Sequence, residues 1–154
     1  MRRSHFLLSY FCSRSLFLVM ELGVLIVFGR LVFGTHPQGS LPGLLVASTL
    51  GAAAFAAIGF LIGARLTSTE VAGGWMNFVQ LPMWLLSGSF FSYERFPEWL
   101  QLPIRCLPLT AVNDALRRIY NEAGSLSSVG FELAVLAAWA VLGFGVAIKA
   151  FRWQ

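Results

Sequence analysis

The chain has little charge. Of its 154 residues 12% are Asp, Glu, Lys or Arg and 57% are hydrophobic, against about 25% and about 45–50% in soluble domains. So few charges cannot cover the surface of a water-soluble globule. A mean hydropathy of +0.73 excludes intrinsic disorder as well, since disordered chains are poor in Phe, Trp, Leu and Val. Lysine is almost absent: Lys149 is the only one, and Ala150 follows it. No phosphate-binding loop of the G-x-x-x-x-G-K-[ST] type exists, so the chain does not hydrolyse ATP by that route. The two cysteines, Cys12 and Cys106, are far apart and form neither a zinc spacing nor a C-x-x-C pair. The two histidines, His5 and His36, fall on opposite sides of a first apolar segment. They are placed to share neither a metal nor a catalytic triad. A nucleophile elbow is missing too, and Ser87-Gly88-Ser89 reads as a packing or termination device. No catalytic, cofactor-binding or metal-ligating set is expected on this chain, and an intramembrane enzyme ranks last among the readings.

What the chain has is long apolar runs. A spanning helix needs about 20 mostly apolar residues. Residues 41–64 form an uncharged run of 24, residues 71–91 one of 21, and residues 127–148 one of 22 whose single charge is Glu132. Residues 15–33 make a fourth run that carries Glu21 and Arg30. It is too long for a signal peptide and lacks a small-residue cleavage site. The fold class predicted is therefore an all-α integral membrane protein with four spans, approximately 15–33, 41–64, 71–91 and 127–148, in one domain.

The net charge is +4, and no basic run exceeds two residues, which argues against a nucleic-acid partner. With the N-terminus inside, Arg2, Arg3, Arg14, Arg65, Lys149 and Arg152 lie on the cytoplasmic side. Arg95, Arg105, Arg117 and Arg118 then lie outside, which the positive-inside rule favours. Small residues crowd the spans, as in Gly51-Ala52-Ala53-Ala54 and the Gly59-x-x-x-Gly63 pair. They suit close helix approach, within the bundle or at a dimer face. Glu21, an acid inside a span, is a functional candidate by default, with a plain helix–helix hydrogen bond as the alternative.

Residues 92–126 are neither linker nor span. They hold eight of the 18 charges, together with Trp99, Leu100, Ile104, Leu107 and Leu109. Pro97 fits the start of a short helix, which Pro103 and Pro108 are expected to interrupt. A second helix over 111–123 follows, with Thr110 as its cap, Asp114 near its N-terminal end and Gly124 as its stop. Val112, Ala115, Leu116, Ile119, Tyr120 and Ala123 form its apolar stripe. Together the two predict a helical hairpin before the last span, either re-entrant and buried against protein or amphipathic and lying on the surface.

The run Leu86-Ser87-Gly88-Ser89-Phe90-Phe91-Ser92-Tyr93-Glu94-Arg95-Phe96-Pro97-Glu98-Trp99-Leu100-Gln101 resembles a stretch of type-2 ABC transporter permeases, with Ser92 where that family often has proline. Leu107-Pro108-Leu109-Thr110-Ala111-Val112-Asn113-Asp114-Ala115-Leu116-Arg117 resembles the stretch that follows. Arg65 to Ala72 resembles the family's short cytoplasmic loop, Asn77 with Leu81-Pro82 the start of its next helix, and Arg3 to Tyr10 the approach to its third span. The resemblance implies a permease subunit of an ATP-driven exporter in the bacterial inner membrane, paired as a homodimer or heterodimer amid membrane lipids. It implies ATP on a separate cytoplasmic ATPase subunit and no cofactor on this chain. It implies ATPase contacts at Arg2, Arg3, Arg65 and Glu70, and an outer gate that includes Glu94, Trp99, Asp114, Leu116 and Arg117. The family has six spans and the four here match its last four, so a C-terminal portion is expected. The rival reading is a four-span structural or assembly subunit, or an inactive permease fragment, that does not transport.

Overall fold

A computed structural model describes residues 3–63, 68–88 and 93–150, and among these the only regular structure is helical. In chain order the helices are α1 (Arg3–Phe33), α2 (Leu41–Gly63), α3 (Thr69–Leu86), α4 (Glu98–Arg105), α5 (Pro108–Asn121) and α6 (Gly130–Ala150), with a 3-10 turn at Tyr93–Arg95 before α4. Three of the described helices are long and apolar enough to cross a membrane, through Leu16–Phe33, Leu41–Gly63 and Gly130–Ala147. The 71–91 run behaves differently. It becomes α3, whose 18 residues include Glu70, Asn77 and Gln80. At 1.5 Å per residue α3 is about 27 Å long, slightly short of the hydrocarbon core of about 30 Å. Leu81 and Pro82 lie well inside α3 rather than at its start. Ser68 caps the helix by accepting a hydrogen bond from Val71 N–H at 3.3 Å, and Glu70 stands in its positive first turn.

The centre of the molecule is α2, α5 and α6. The α2 and α6 helices run parallel. Leu44 and Val129 share one buried cluster, Ala54 and Leu136 the next, and Phe60 meets Phe144 with ring centroids 5.8 Å apart. Small residues permit this closeness. A Cβ on Gly143 would stand 2.7 Å from that of Ala57, and one on Gly51 would stand 2.5 Å from Val112 Cγ2. In lipid, where apolar surface gains nothing by leaving solvent, such close packing is what holds helices together. Gly59 packs within the chain against Met76 of α3, and Gly63 faces open space.

The α5 helix lies antiparallel to α2 and α6. Ile119, near its end, belongs with Leu44 and Val129, whereas Ala111, near its start, belongs with Ala54 and Leu136. Pro108 takes the first helical position, after Leu107, where its fixed φ and missing N–H cost nothing. The helix therefore begins before Thr110, which is not a cap but a fully buried residue of the first turn. Its far end closes with Ala123 at φ 51°, while the Arg118 carbonyl accepts from both Glu122 and Gly124 N–H. Pro103 lies inside α4 and does not end it. The carbonyl that it leaves unpaired belongs to Trp99, in the exposed first turn of a short helix.

Loop 34–40 ties the end of α1 to the end of α5. Gln38 N–H donates to the Tyr120 carbonyl at 2.9 Å, and the Tyr120 hydroxyl lies 3.2 Å from Thr35 Oγ1. Gly39 lies against the Ile119 carbonyl oxygen with no room for a Cβ.

Candidate functional site: a re-entrant hairpin and its ion cluster

The α4–α5 corner reaches α6 near the middle of that helix. Trp139 Nε1 donates to the Cys106 carbonyl at 2.9 Å. Trp139 is nine residues after Gly130, so the corner lies about 14 Å along α6 from its first residue, close to the middle of that helix. The hairpin thus runs down to mid-bundle in α4 and back in α5, the geometry of a re-entrant element rather than of a surface-lying helix. Backbone turns at such depth need polar partners supplied by protein, and the Trp139 indole supplies one.

Three side chains from three helices converge beside this hairpin. Glu132, on the first turn of α6, is 2% exposed. Arg118 of α5 brings Nη1 to 3.1 Å from Glu132 Oε1, and Arg105 of α4 brings Nη2 to 3.9 Å from the same oxygen. The Arg105 guanidinium also lies over the Phe131 ring, 5.1 Å from its centroid. Both arginines are partly exposed, so the buried member is the acid. Neither carboxylate oxygen of Glu132 has an aligned hydrogen-bond donor among the described residues, and the buried Arg105 Nε has no acceptor. The cluster therefore rests on charge. Taking a carboxylate out of water costs several kcal/mol, and opposite charge at close range offsets that cost.

A second pair sits on α5 alone. Asp114 is buried, and the exposed Arg117 reaches it at 3.4 Å. Leu116 is half-buried against the cluster of Leu44, Ala47, Ala115, Ile119 and Val129. Of the residues expected to form a gate, Asp114, Leu116 and Arg117 thus share α5. Glu94 and Trp99 belong to the opposite leg and are both exposed. That leg is braced by Gln101 Nε2, which donates to the Phe96 carbonyl at 2.9 Å and, at 3.4 Å, to that of Glu94.

The remaining candidates stand apart. Glu21 is exposed on α1 with Arg14 at 3.9 Å, so it reaches no other described helix through that pair. Glu70 is exposed at the start of α3, and Arg3 is the first residue of α1. Arg2 and Arg65 lie outside the described residues. Glu132, Arg105, Arg118 and Trp139 had no sequence signal as a set, because their partners are 14 to 33 positions away. Among the described residues no group of three His, Cys, Asp or Glu could hold a metal ion.

With this geometry in hand, the comparison with known families gives one match: the ABC-2 type transporter family model covers residues 1–121, from the start of the chain through the last residue of α5. No curated protein and no solved structure matches the chain.

Proposed function

The chain belongs to the ABC-2 type transporter family, and on that premise we propose that this membrane permease subunit serves an ATP-driven exporter whose ATPase is a separate cytoplasmic chain. The observation that carries the reading is the family match over α1 to α5, the re-entrant hairpin included. The missing phosphate-binding loop agrees with a partner that hydrolyses ATP.

In this reading the protein is a multi-pass subunit of a bacterial inner membrane with both termini cytoplasmic, and two permease copies or relatives enclose the pathway. The ATPase docks near Arg2, Arg3, Arg65 and Glu70. The α4–α5 hairpin stands at the outer side, with Glu94, Trp99, Asp114, Leu116 and Arg117 as gate residues. Because α5 is wedged against both α2 and α6, a rocking of the subunit carries the hairpin with those helices and opens or closes the exit between the two halves.

The test is co-purification. Tagged protein should retain an ATPase subunit, and Glu70→Arg should reduce that recovery, since Glu70 borders the loop between α2 and α3. Recovery unchanged by the reversal removes this loop from the coupling surface. In intact cells an impermeant thiol reagent should modify Cys106 and spare Cys12. Modification of Cys12 alone, or of both, overturns the orientation.

A further inference from the structure

Buried acids in an apolar bundle are rare and costly, and Glu132 has a feature that general packing does not require: its two cations come from the two different legs of one hairpin. Arg105 is the last residue of α4 and Arg118 is in the last turn of α5. Arg105 starts beside the deep corner, and its long side chain reaches back along α6 toward Glu132. Arg118 arrives from the other leg, near its far end. One carboxylate oxygen therefore takes a charge from the bottom of the descending leg and another from the top of the ascending one. Seven positions along α6, two helical turns on the same face, Trp139 holds the Cys106 carbonyl between those legs. Leu136 lies between the two anchors, fully buried. Glu132 and Trp139 both lie beyond the residues that the family match covers.

We propose that Glu132 is the positioning residue for the α4–α5 hairpin: by drawing Arg105 and Arg118 to one point on α6 it fixes how far the hairpin reaches along the packed α2–α6 pair. Charge adds to what packing supplies here. Two guanidinium groups bound to one buried carboxylate define a single register on top of the close fit of α5 against α2 and α6. Without the acid neither guanidinium has its anionic partner on α6. The hairpin then loses the attraction that holds it at that depth. The proposal concerns where the hairpin rests and does not depend on the hairpin's being a gate.

Cys106 at the corner reports insertion depth directly. It is exposed and free, and a Cys12→Ser background leaves it the only thiol. The full chain is placed in lipid nanodiscs, which open both membrane faces, so the outcome depends on neither orientation nor export. The rate of Cys106 modification by a charged thiol reagent is then measured. Glu132→Gln should raise that rate about tenfold, equivalent to about 1.4 kcal/mol of lost holding. Glu132→Asp, which keeps the charge, should stay near the parent rate. Leu136→Ala, which loosens the same helix face without touching the charges, should raise it far less than Glu132→Gln. If Glu132→Gln does not accumulate, the triple variant Glu132→Gln, Arg105→Gln, Arg118→Gln removes all three charges and should still show the faster rate. An unchanged rate in whichever of these two variants folds overturns the proposal. So does Leu136→Ala matching Glu132→Gln, since the effect would then be loss of packing alone.

Discussion

The two halves of the helical surface differ sharply. In α2 and α6 the residues facing α5 and each other are small or fitted: Ala47, Ala54, Ala57, Leu136 and Gly143 are buried. Within the apolar segment of α1, by contrast, none of the window is buried, and Leu16, Phe17, Val24, Leu25 and Phe28 are all exposed. The outward side of α3 is similar, with Trp75, Phe78, Trp84 and Leu85 exposed. Composition does not separate α1 from α2 and α6, because all three are long and apolar. Side-chain size does. Small residues mark where helices of this chain meet, and large ones mark surface turned toward lipid or another subunit. The packed part, α2 with α5 and α6, is the frame that carries the hairpin, and α1 and α3 are attached to it more lightly.

That contrast predicts that a charge introduced into the frame is far more damaging than one on its polar rim. Leu116 lies among the packed residues of α5. An arginine at the membrane centre costs about 2.5–3.5 kcal/mol on insertion scales, and less toward the interface. In the assembled transporter, Leu116→Arg should abolish or uncouple export while its membrane level stays near normal, because the spanning runs are untouched. An export assay beside a membrane-fraction blot checks this. Normal export would remove the hairpin from the gating account.

Overpacking should come next. Gly143 is buried with the Ala57 Cβ in the place its own would need, so Gly143→Val must push α6 away from α2. Overfilled sites typically lose about 1–3 kcal/mol, which thermal unfolding of the purified chain in detergent would register as a lower Tm. A Tm unchanged by Gly143→Val would mean that the α2–α6 contact is looser than the small-residue rule implies.

The two arginines that neighbour each other on α5 offer a finer contrast. On a helical wheel Arg118 falls on the polar face, and its loss is expected to be mild on that ground alone. The ion pair with buried Glu132 adds a cost that the wheel does not show, though one still smaller than that expected of Leu116→Arg. Arg118→Ala leaves a buried carboxylate with only the more distant Arg105, and groups stranded in this way typically lose about 1–3 kcal/mol. Arg117 also serves a buried acid, but it is more exposed than Arg118 and lies farther from its partner, 3.4 Å against 3.1 Å, so its loss should cost less. Unfolding midpoints for Arg118→Ala and Arg117→Ala should therefore differ, with Arg118→Ala the lower. The opposite order would break the assignment of Glu132 as the acid that organises the site.

What was legible in the sequence follows the same physical line. Apolar runs located α1, α2 and α6, since length and hydropathy are local properties. The stripe of α5 was legible because 3.6-residue periodicity is local too, and Ala115, Leu116 and Ile119 do face the packed cluster. The helix start was misplaced because Thr110 and Pro108 compete for the same turn, and a proline at the first position outweighs a hydroxyl cap. The depth of the hairpin and the Glu132 cluster were not legible. They depend on which residues of distant helices meet, and Glu132 alone reads as a charge near a span's end. The 71–91 run showed the limit of counting uncharged residues, because Asn77, Gln80 and Pro82 carry no charge yet lower the hydropathy of α3.

The smallest expected effect probes the uncovered faces of α6 and α3. Gly145 on α6 and Gly73 on α3 have open space where a Cβ would stand. Glycine inside a helix is worse than alanine by roughly 0.5–1 kcal/mol. Gly145→Ala and Gly73→Ala should therefore each raise the Tm of the isolated chain slightly, whereas Gly143→Val, two positions from Gly145, lowers it. The same two alanine variants can be examined in the assembled transporter. If either methyl group lowers the stability or yield of the assembly while raising that of the isolated chain, the open space is occupied there by another helix. The glycine then marks where a second subunit approaches. If both variants stabilise chain and assembly alike, those faces meet lipid, and subunit contact must be sought instead on α1, where no residue of the apolar window is buried.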